Sequence, residues 1–550
     1  MHQAFFIPRL QYIRDNTIRN AAADLLDIII NNVRIAIEKD SVSQYLRAVS
    51  EKLETGIENI ELLKILGKSL DIKNEKQFYY NLSLALRISG DFKNKHEYPL
   101  FAEAREPSAS KYTIKERPLI VGLGPAGLFA AIELAGRGAR PLIFERGRKI
   151  EERSRDITDF IKTRKLNGES NIQFGEGGAG SYSDGKLFAR VNNSRYADKV
   201  LKTFIRFGAP EDIAYVAKPH LGTDVLCKIV RNMRQYLLEN GAEIHYGSKM
   251  TDLIISDGTA SGVVINGADE YLSPIIYLAV GHSARDTFEM LHGKGVAMEQ
   301  KPIAVGMRLE HPAEIINLMS YGEKYQHNQQ IGAMTYSFTY TDREKMRGVY
   351  SFCMCPGGEV VNASSENGLL AVNGMSYSDR GLPFSNSAIT VTCHTSDYAS
   401  CNPLSGIAFQ KGIERSAFNA GGGNWSAPAQ KIEDFLMGKT SKELNPSSYQ
   451  MGCVPADMRA IFPDFICDTL TLAFRKWKED YPLFISGHGM LLGAETRTSA
   501  PLKILRNADG ESINVKNLYP IGEGSGYSGG ITSSALDALK AVDAAMNKVL

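Results

Sequence analysis

One stretch constrains this chain more than any other: "RPLIVGLGPAGLFAAIELAGRGARPLIFERG", Arg117 to Gly147. It reads as a buried strand (Leu119–Gly122), a glycine turn, a helix (about Pro125–Gly136) and a second strand (Pro141–Glu145). Gly122, Gly124 and Gly127 form the pattern G-x-G-x-x-G. The first glycine permits the tight turn, the second lets a pyrophosphate approach the backbone, and the third lets helix and strand pack closely. Pro125 and Ala126 open the helix, where a missing N–H costs little. The amides and dipole of that helix start attract phosphate. Glu145, with Arg146 after it, ends the second strand, where an acid accepts hydrogen bonds from adenosine ribose hydroxyls. The stretch predicts a parallel dinucleotide-binding unit, and alone does not separate FAD from NAD.

The far end of the chain separates them. "NLYPIGEGSGYSGGITSSALDALKA" (Asn517–Ala541) reads as strand, glycine turn with an acid, second glycine cluster, then a helix with Ile531, Ala535, Leu539 and Val542 on one face. A C-terminal segment of this kind, returning to an N-terminal dinucleotide fold, is the layout of many FAD proteins. Gly522, Glu523, Gly529, Gly530 and Ile531 are then cofactor-binding candidates. Glu523 is placed at the ribityl or pyrophosphate region. The helix start faces the pyrimidine edge of the flavin, where reduction places negative charge.

Composition narrows the class. A chain of 550 residues predicts two or three domains. A net charge of +1, with no long block of one sign, argues against nucleic acid and anionic membranes as partners. The opening "MHQAFFIPRLQYIRDNT" reads as neither a signal peptide nor an anchor, and no apolar run reaches spanning length. Seven cysteines in this length form no disulfide framework, so a cytoplasmic location is expected. No second Cys/His pair sits at ligand spacing, so no metal is expected.

A third segment, "NIQFGEGGAGSYSDGKL" (Asn171–Leu187), has glycine at five of its seventeen positions. Something must approach its backbone closely. "FGEGGAGSYSDGKL", "KPHLGTD" (Lys218–Asp224), "AVGHSARDTFEML" (Ala279–Leu291), "FCMCPGG" (Phe352–Gly358), "ETRTSAP" (Glu495–Pro501) and "YPIGEGSGYSGGI" together resemble the FAD-dependent dehydrogenase family long described as NAD(FAD)-utilising dehydrogenases, among the two-dinucleotide-fold flavoproteins. The resemblance covers roughly residues 115 to 545, and the N-terminal unit more weakly. It implies bound FAD and a redox activity, and leaves the substrate open. On this reading Gly175, Gly177, Gly178 and Gly180 approach FAD. Ser181, Ser183 and backbone amides act as donors, and Lys186 stands beside phosphate charge or the flavin edge.

Five further positions are candidates. Met250, in the strand near Lys249–Leu253, is expected to pass the adenine. Gly281 and His282 follow a buried strand, at the sheet edge that ligands favour. His282 suits a cofactor contact, and is more readily a structural hydrogen-bonding residue than a base. Cys353 and Cys355, on one side of an extended strand, read either as ordinary buried cysteines or as a redox pair. His282, Lys186, Cys353 and Cys355 exhaust the catalytic candidates. There is no second strand–GxGxxG–helix, and "NAGGGNW" (Asn419–Trp425) reads as a loop. NAD(P)H, if it is the electron donor, docks transiently.

The expected fold is α/β: a Rossmann-like FAD-binding domain (112–300 and 483–550), an inserted mostly-β substrate domain (301–482) and a small N-terminal α+β domain (1–105). The expected function is FAD-dependent oxidoreduction of a small-molecule substrate. The rival is a flavin-bound redox-responsive regulatory or scaffold protein, which predicts a blocked flavin face and an exposed apolar patch on residues 1–105. A third reading, an FAD-dependent RNA-modifying enzyme, runs against the near-neutral charge.

Overall fold

The computed structural model describes residues 25–90, 92, 94, 96–103, 111–112, 115–187 and 195–549. The reading of residues 1–17 lies outside them. So does most of the polar segment Arg105–Arg117, which the sequence presents as a linker.

Five short strands form a parallel sheet in the order Leu518–Pro520, Ile276–Leu278, Leu119–Val121, Leu142–Glu145, Glu243–Tyr246. The three strands at its centre are almost wholly apolar because both faces are covered. Side chains alternate across it. Ile120, Tyr277 and Tyr519 join a core with the helices Pro125–Gly136, Gly222–Glu239 and Ile531–Val549. Leu119, Val121, Ile276, Leu278 and Leu518 join another with the antiparallel strands Met250–Ser256, Thr259–Ile265 and Asp269–Leu272. From Leu119–Val121 the chain steps one way, to 142–145 and 243–246, and then crosses back to 276–278 on the other side. The order reverses between these two central strands, which opens a crevice at their carboxyl ends.

The helix Pro125–Gly136 has the bounds its pattern predicts. The helix Gly222–Glu239 is capped by neither Thr223 nor Asp224. Thr223 instead donates to the Ser183 carbonyl (3.0 Å), and Asp224 accepts from the amide and hydroxyl of Ser378 (2.8 and 2.7 Å).

The inserted domain leaves through Met298–Gln300 and returns through Leu502–Ile504, which pair as a two-stranded neck. Between them lies a seven-stranded sheet, in the order Thr339–Asp342, Arg347–Cys355, Phe384–Cys393, Ile303–Pro312, Met490–Glu495, Ala427–Lys431, Cys453–Pro455. Its largest apolar core lies under the helices Ser405–Ala420 and Asp464–Asp480. Met490–Glu495 pairs with Ile303–Pro312, so the chain returns after Glu495 and not at 482. An apolar run announces a buried strand without saying to which sheet it belongs.

The N-terminal unit is a three-stranded antiparallel sheet, Leu26–Ala36, Tyr79–Ile88 and Ile60–Asp71 in spatial order, with helix Val42–Leu53 against it. Ile60–Asp71, which alternates poorly, is a strand the sequence reading passes over. It docks by backbone pairing: the Lys68 amide donates to the Tyr215 carbonyl (2.8 Å), and the Ala217 amide to the Lys68 carbonyl (3.0 Å). On its other side the Phe78 ring stacks on Tyr325 of the insert, with centroids 4.1 Å apart. Among the described residues no helix is long and apolar enough to cross a membrane.

Candidate functional site

Three glycine turns meet at the crevice. Gly122 follows Val121, Gly281 follows the strand Ile276–Leu278, and Gly522 follows Pro520. They interlock at backbone distance. A Cβ on Gly122 would lie 2.4 Å from the Ala279 carbonyl oxygen, and one on Gly524 would lie 2.7 Å from that of Gly281. A Cβ on Gly127 would strike the Gly122 carbonyl oxygen, so helix and turn pack closely, as the fingerprint requires. By contrast, nothing lies within 4 Å of where a Cβ would stand on Gly281, Gly529 or Gly530. These three face open space beside the starts of the helices at Pro125 and Ile531. The first amides of a helix have no intrahelical partner and favour anions.

Glu145 is buried at the end of its strand. Its carboxylate accepts from the amides of Leu123 (2.8 Å), Gly147 (2.9 Å) and Gly175 (3.0 Å). A carboxylate has about four acceptor positions, so room remains for one ribose hydroxyl and not for two. Arg146 grips Asp286 with two bonds of 2.9 Å, pairs with Glu169, and lies over the Phe174 ring. Met250 is buried in the core under the antiparallel sheet.

The glycine-rich loop meets its own protein. The Gly177 amide donates to the Leu123 carbonyl (2.8 Å), and a Cβ on Gly178 would stand 2.8 Å from the Gly124 Cα. A Cβ on Gly180 would stand 2.9 Å from Ile531. The loop therefore joins the fingerprint turn to the start of the C-terminal helix. Arg153, fully buried, organises it by donating to the carbonyls of Asn171 and Ile172 (2.8 Å each), Glu176 (2.7 Å) and Gly178 (3.0 Å). Sequence reasoning missed Arg153. Its signal is an arginine on the stripe Ile150, Arg153, Ile157, Phe160, at helical spacing among apolar residues. Ser183 donates to Gly180 within the loop (2.8 Å). The Ser181 hydroxyl is buried with no hydrogen-bond partner, in the wall of a small cavity between Pro125 and Ile531. Lys186 lies against the insert, bonded to the Met354 carbonyl and 2.8 Å from Asp184.

His282 and the Ser283 hydroxyl are 2.9 Å apart. Burial, reinforced by Arg497 and Arg285, lowers the His282 pKa to about 3. The ring is neutral at physiological pH and a weak base, which fits the hydrogen-bonding role. Beside it, Glu414 binds Arg285 (2.7 and 2.8 Å), Arg497 (3.0 Å twice) and the Thr496 hydroxyl (2.6 Å). Cys353 and Cys355 do not share one side of the strand. A register shift follows Phe352, Cys353 takes φ +44°, and Cys353 is exposed while Cys355 is buried. Burial holds the Cys355 thiol above its ordinary range, against the thiolate that redox chemistry needs.

Burial also pushes Glu523 up to about 7, with Lys301 acting in the opposite sense. A carboxyl raised in the folded state contributes stability that is complete below its unfolded value. That stability is lost as pH rises through about 7. Glu523→Gln apoprotein should therefore match the parent near pH 4.5 and exceed it at pH 8 by up to ~3 kcal/mol. Denaturant titrations at both pH values check this, and equal stability at pH 8 would refute it.

The crevice fits an extended dinucleotide. Open space lies over Gly281, Gly529 and Gly530, and two helix starts border it. A family model described as "FAD-dependent protein, C-terminal domain-like" matches residues 302–498. An uncharacterized protein of Clostridium beijerinckii is 39% identical over 530 residues, 95% of this chain and 99% of its own length. A thiamine thiazole synthase of Pyrococcus horikoshii is 27% identical over 207 residues, 37% of this chain and 68% of its own. Among solved structures, a geranylgeranyl bacteriochlorophyll reductase-like protein of Thermoplasma acidophilum shares 12% identity, with 79% of this chain and 78% of that one covered and a TM-score of 0.33. A mutant of the halogenase PltM in complex with FAD shares 10% identity, with 79% and 71% covered and a TM-score of 0.36.

Proposed function

The chain belongs to the FAD-dependent protein family whose C-terminal domain is matched at residues 302–498, and from that premise we propose an FAD-dependent oxidoreductase acting on a small molecule. The observation that carries this reading is the meeting of three glycine turns and two helix starts where the parallel sheet reverses its order. When bound, FAD supplies hydride or electron transfer at its ring. The chain's own residues supply the rest. Glu145 orients the ribose, the helix starts at Pro125 and Ile531 stabilise negative charge, and the insert shields the crevice from water. The pattern G-x-G-x-x-G recurs at Gly175–Gly180 and Gly524–Gly529, both in segments that already shape the crevice, so a nicotinamide donor would dock transiently. The large exposed apolar side chains of the N-terminal unit, Leu25, Val42, Ile57 and Leu100, stand on four separate segments. That unit also spends surface on docking to the other two domains, which favours the enzyme reading over the scaffold.

Reconstitution tests the proposal. The protein is expected to take up FAD non-covalently, to turn yellow, and to be reduced by a suitable donor. ADP should compete with FAD, and FMN should not bind. Equal uptake of FMN, or no uptake of FAD, would overturn it.

A further inference from the structure

The second half of the glycine-rich loop reaches away from the fingerprint turn and meets the insert. There Asp184, only 3% exposed, is gripped by Arg380 through Nε (3.0 Å) and Nη2 (2.6 Å) and by Lys186 (2.8 Å). Although burial works against it, these two cations hold the Asp184 carboxyl below its usual range. It is therefore a fixed anion that sets both cations in place. One negative charge opposes two positive ones, and the donors are not exhausted. The Nη1 group of Arg380 makes no hydrogen bond among the described residues. Lys186 spends two of its three donors, on Asp184 and the Met354 carbonyl, and its side chain keeps 37% exposure.

A third segment supplies more basic groups. Lys186 and His220 form a backbone bridge, and His220 Nε2 lies 3.2 Å from the Ser378 carbonyl, two residues before Arg380. Lys218 reaches Thr335 of the insert (3.4 Å). Burial and the charges of Arg380 and Lys186 lower the proton affinity of Lys218 and of His220, which places all four groups in one field. The N-terminal unit fixes this arrangement from outside. Its edge strand pairs with residues 215–217, next to Lys218, and Phe78 packs on Tyr321 and Tyr325 of the insert.

We propose that Arg380, Lys186 and Lys218 form an oxyanion-recognising site where the glycine-rich loop meets the insert, with His220 tying their segment to the Ser378 carbonyl, so that the substrate carries a carboxylate or a phosphate. A guanidinium with one free edge, beside a pre-set ammonium, presents divergent donors to such a group. The N-terminal unit braces the segment that carries Lys218 and His220. The assignment deepens the oxidoreductase reading and rests on it for the word substrate, while the anion site itself does not depend on bound flavin.

Equilibrium titration of FAD-loaded protein and of apoprotein, with benzoate, phenyl phosphate and neutral benzamide as probes, tests it. Benzoate or phenyl phosphate should bind both forms, the tighter of the two naming the group, and benzamide at least tenfold more weakly. Lys218→Gln and Arg380→Lys should each weaken anion binding about tenfold while FAD content holds, and in Lys218→Gln the thermal midpoint holds as well. Binding of benzamide equal to that of the anions, no anion binding, or unchanged affinity in both variants would overturn the proposal. FAD uptake without anion binding defeats this inference alone. Anion binding without FAD uptake defeats the flavoprotein reading alone.

Discussion

Gly178→Val should lose FAD affinity by at least about 100-fold, equivalent to ~2.7 kcal/mol, and should melt at a lower temperature. Gly178 has φ +62°, a region that β-branched residues occupy only as outliers. Its Cβ would stand 2.8 Å from the Gly124 Cα and 3.4 Å from Pro125 Cδ, so the loop must lift from the fingerprint turn. Lifting breaks the bond from the Gly177 amide to Leu123 and pulls on Gly175, whose amide helps to hold Glu145. Adenosine and phosphate contacts are then disturbed together. The left-handed backbone alone costs about 1–2 kcal/mol of stability. Flavin content and thermal unfolding of the same variant are the measurements. A fully yellow protein with an unchanged midpoint would show that the loop does not shape the crevice.

Glu414→Gln should destabilise the junction of insert and FAD-binding domain by about 3–5 kcal/mol. Glu414 is fully buried on the insert helix Ser405–Ala420. Its partners lie on other segments: Arg285 on the helix after the central strand, and Arg497 on the returning chain. Against the cost of burial, the two guanidinium groups hold its carboxyl far below the usual range. The amide leaves them facing each other with Glu366, 2.8 Å from Arg285, as the remaining counter-ion. Hydrogen exchange of residues 283–293 and 405–420 should accelerate, and the thermal midpoint should fall. Protection equal to the parent protein would show that the triad does not pin the domains.

The dinucleotide unit was legible in the sequence because every part of it is local. Strand, turn, helix and acid lie within Leu119–Glu145, and each position has a steric or electrostatic requirement that few residue types meet. The C-terminal segment Leu518–Ile531 was legible for the same reason. In the N-terminal unit, Asn32–Ile37 reads as a strand and proves to be the end of the longer Leu26–Ala36, while the apolar spacing after Asp40 and Ser41 marks the helix Val42–Leu53. The glycines of Gly175–Gly185 were legible as a demand for close approach, and their partner was not. That partner is the backbone at Leu123–Gly124 and the side chain of Ile531, hundreds of positions away in the latter case.

Only the tertiary structure decided what depends on pairing between distant segments. Met490–Glu495 joins the insert because its neighbour is Ile303–Pro312, a choice made by ladder hydrogen bonds and core fit that no apolar run encodes. Cys353 and Cys355 separate because a register shift turns the strand between them, although their spacing alone would align them. Arg153, Glu414 and Asp184 are charged, a class of residue that is mostly exposed, yet all three are buried. A charge leaves water only where several partners converge on it, and those partners come from Asn171–Gly178, from Arg285 with Arg497, and from Lys186 with Arg380.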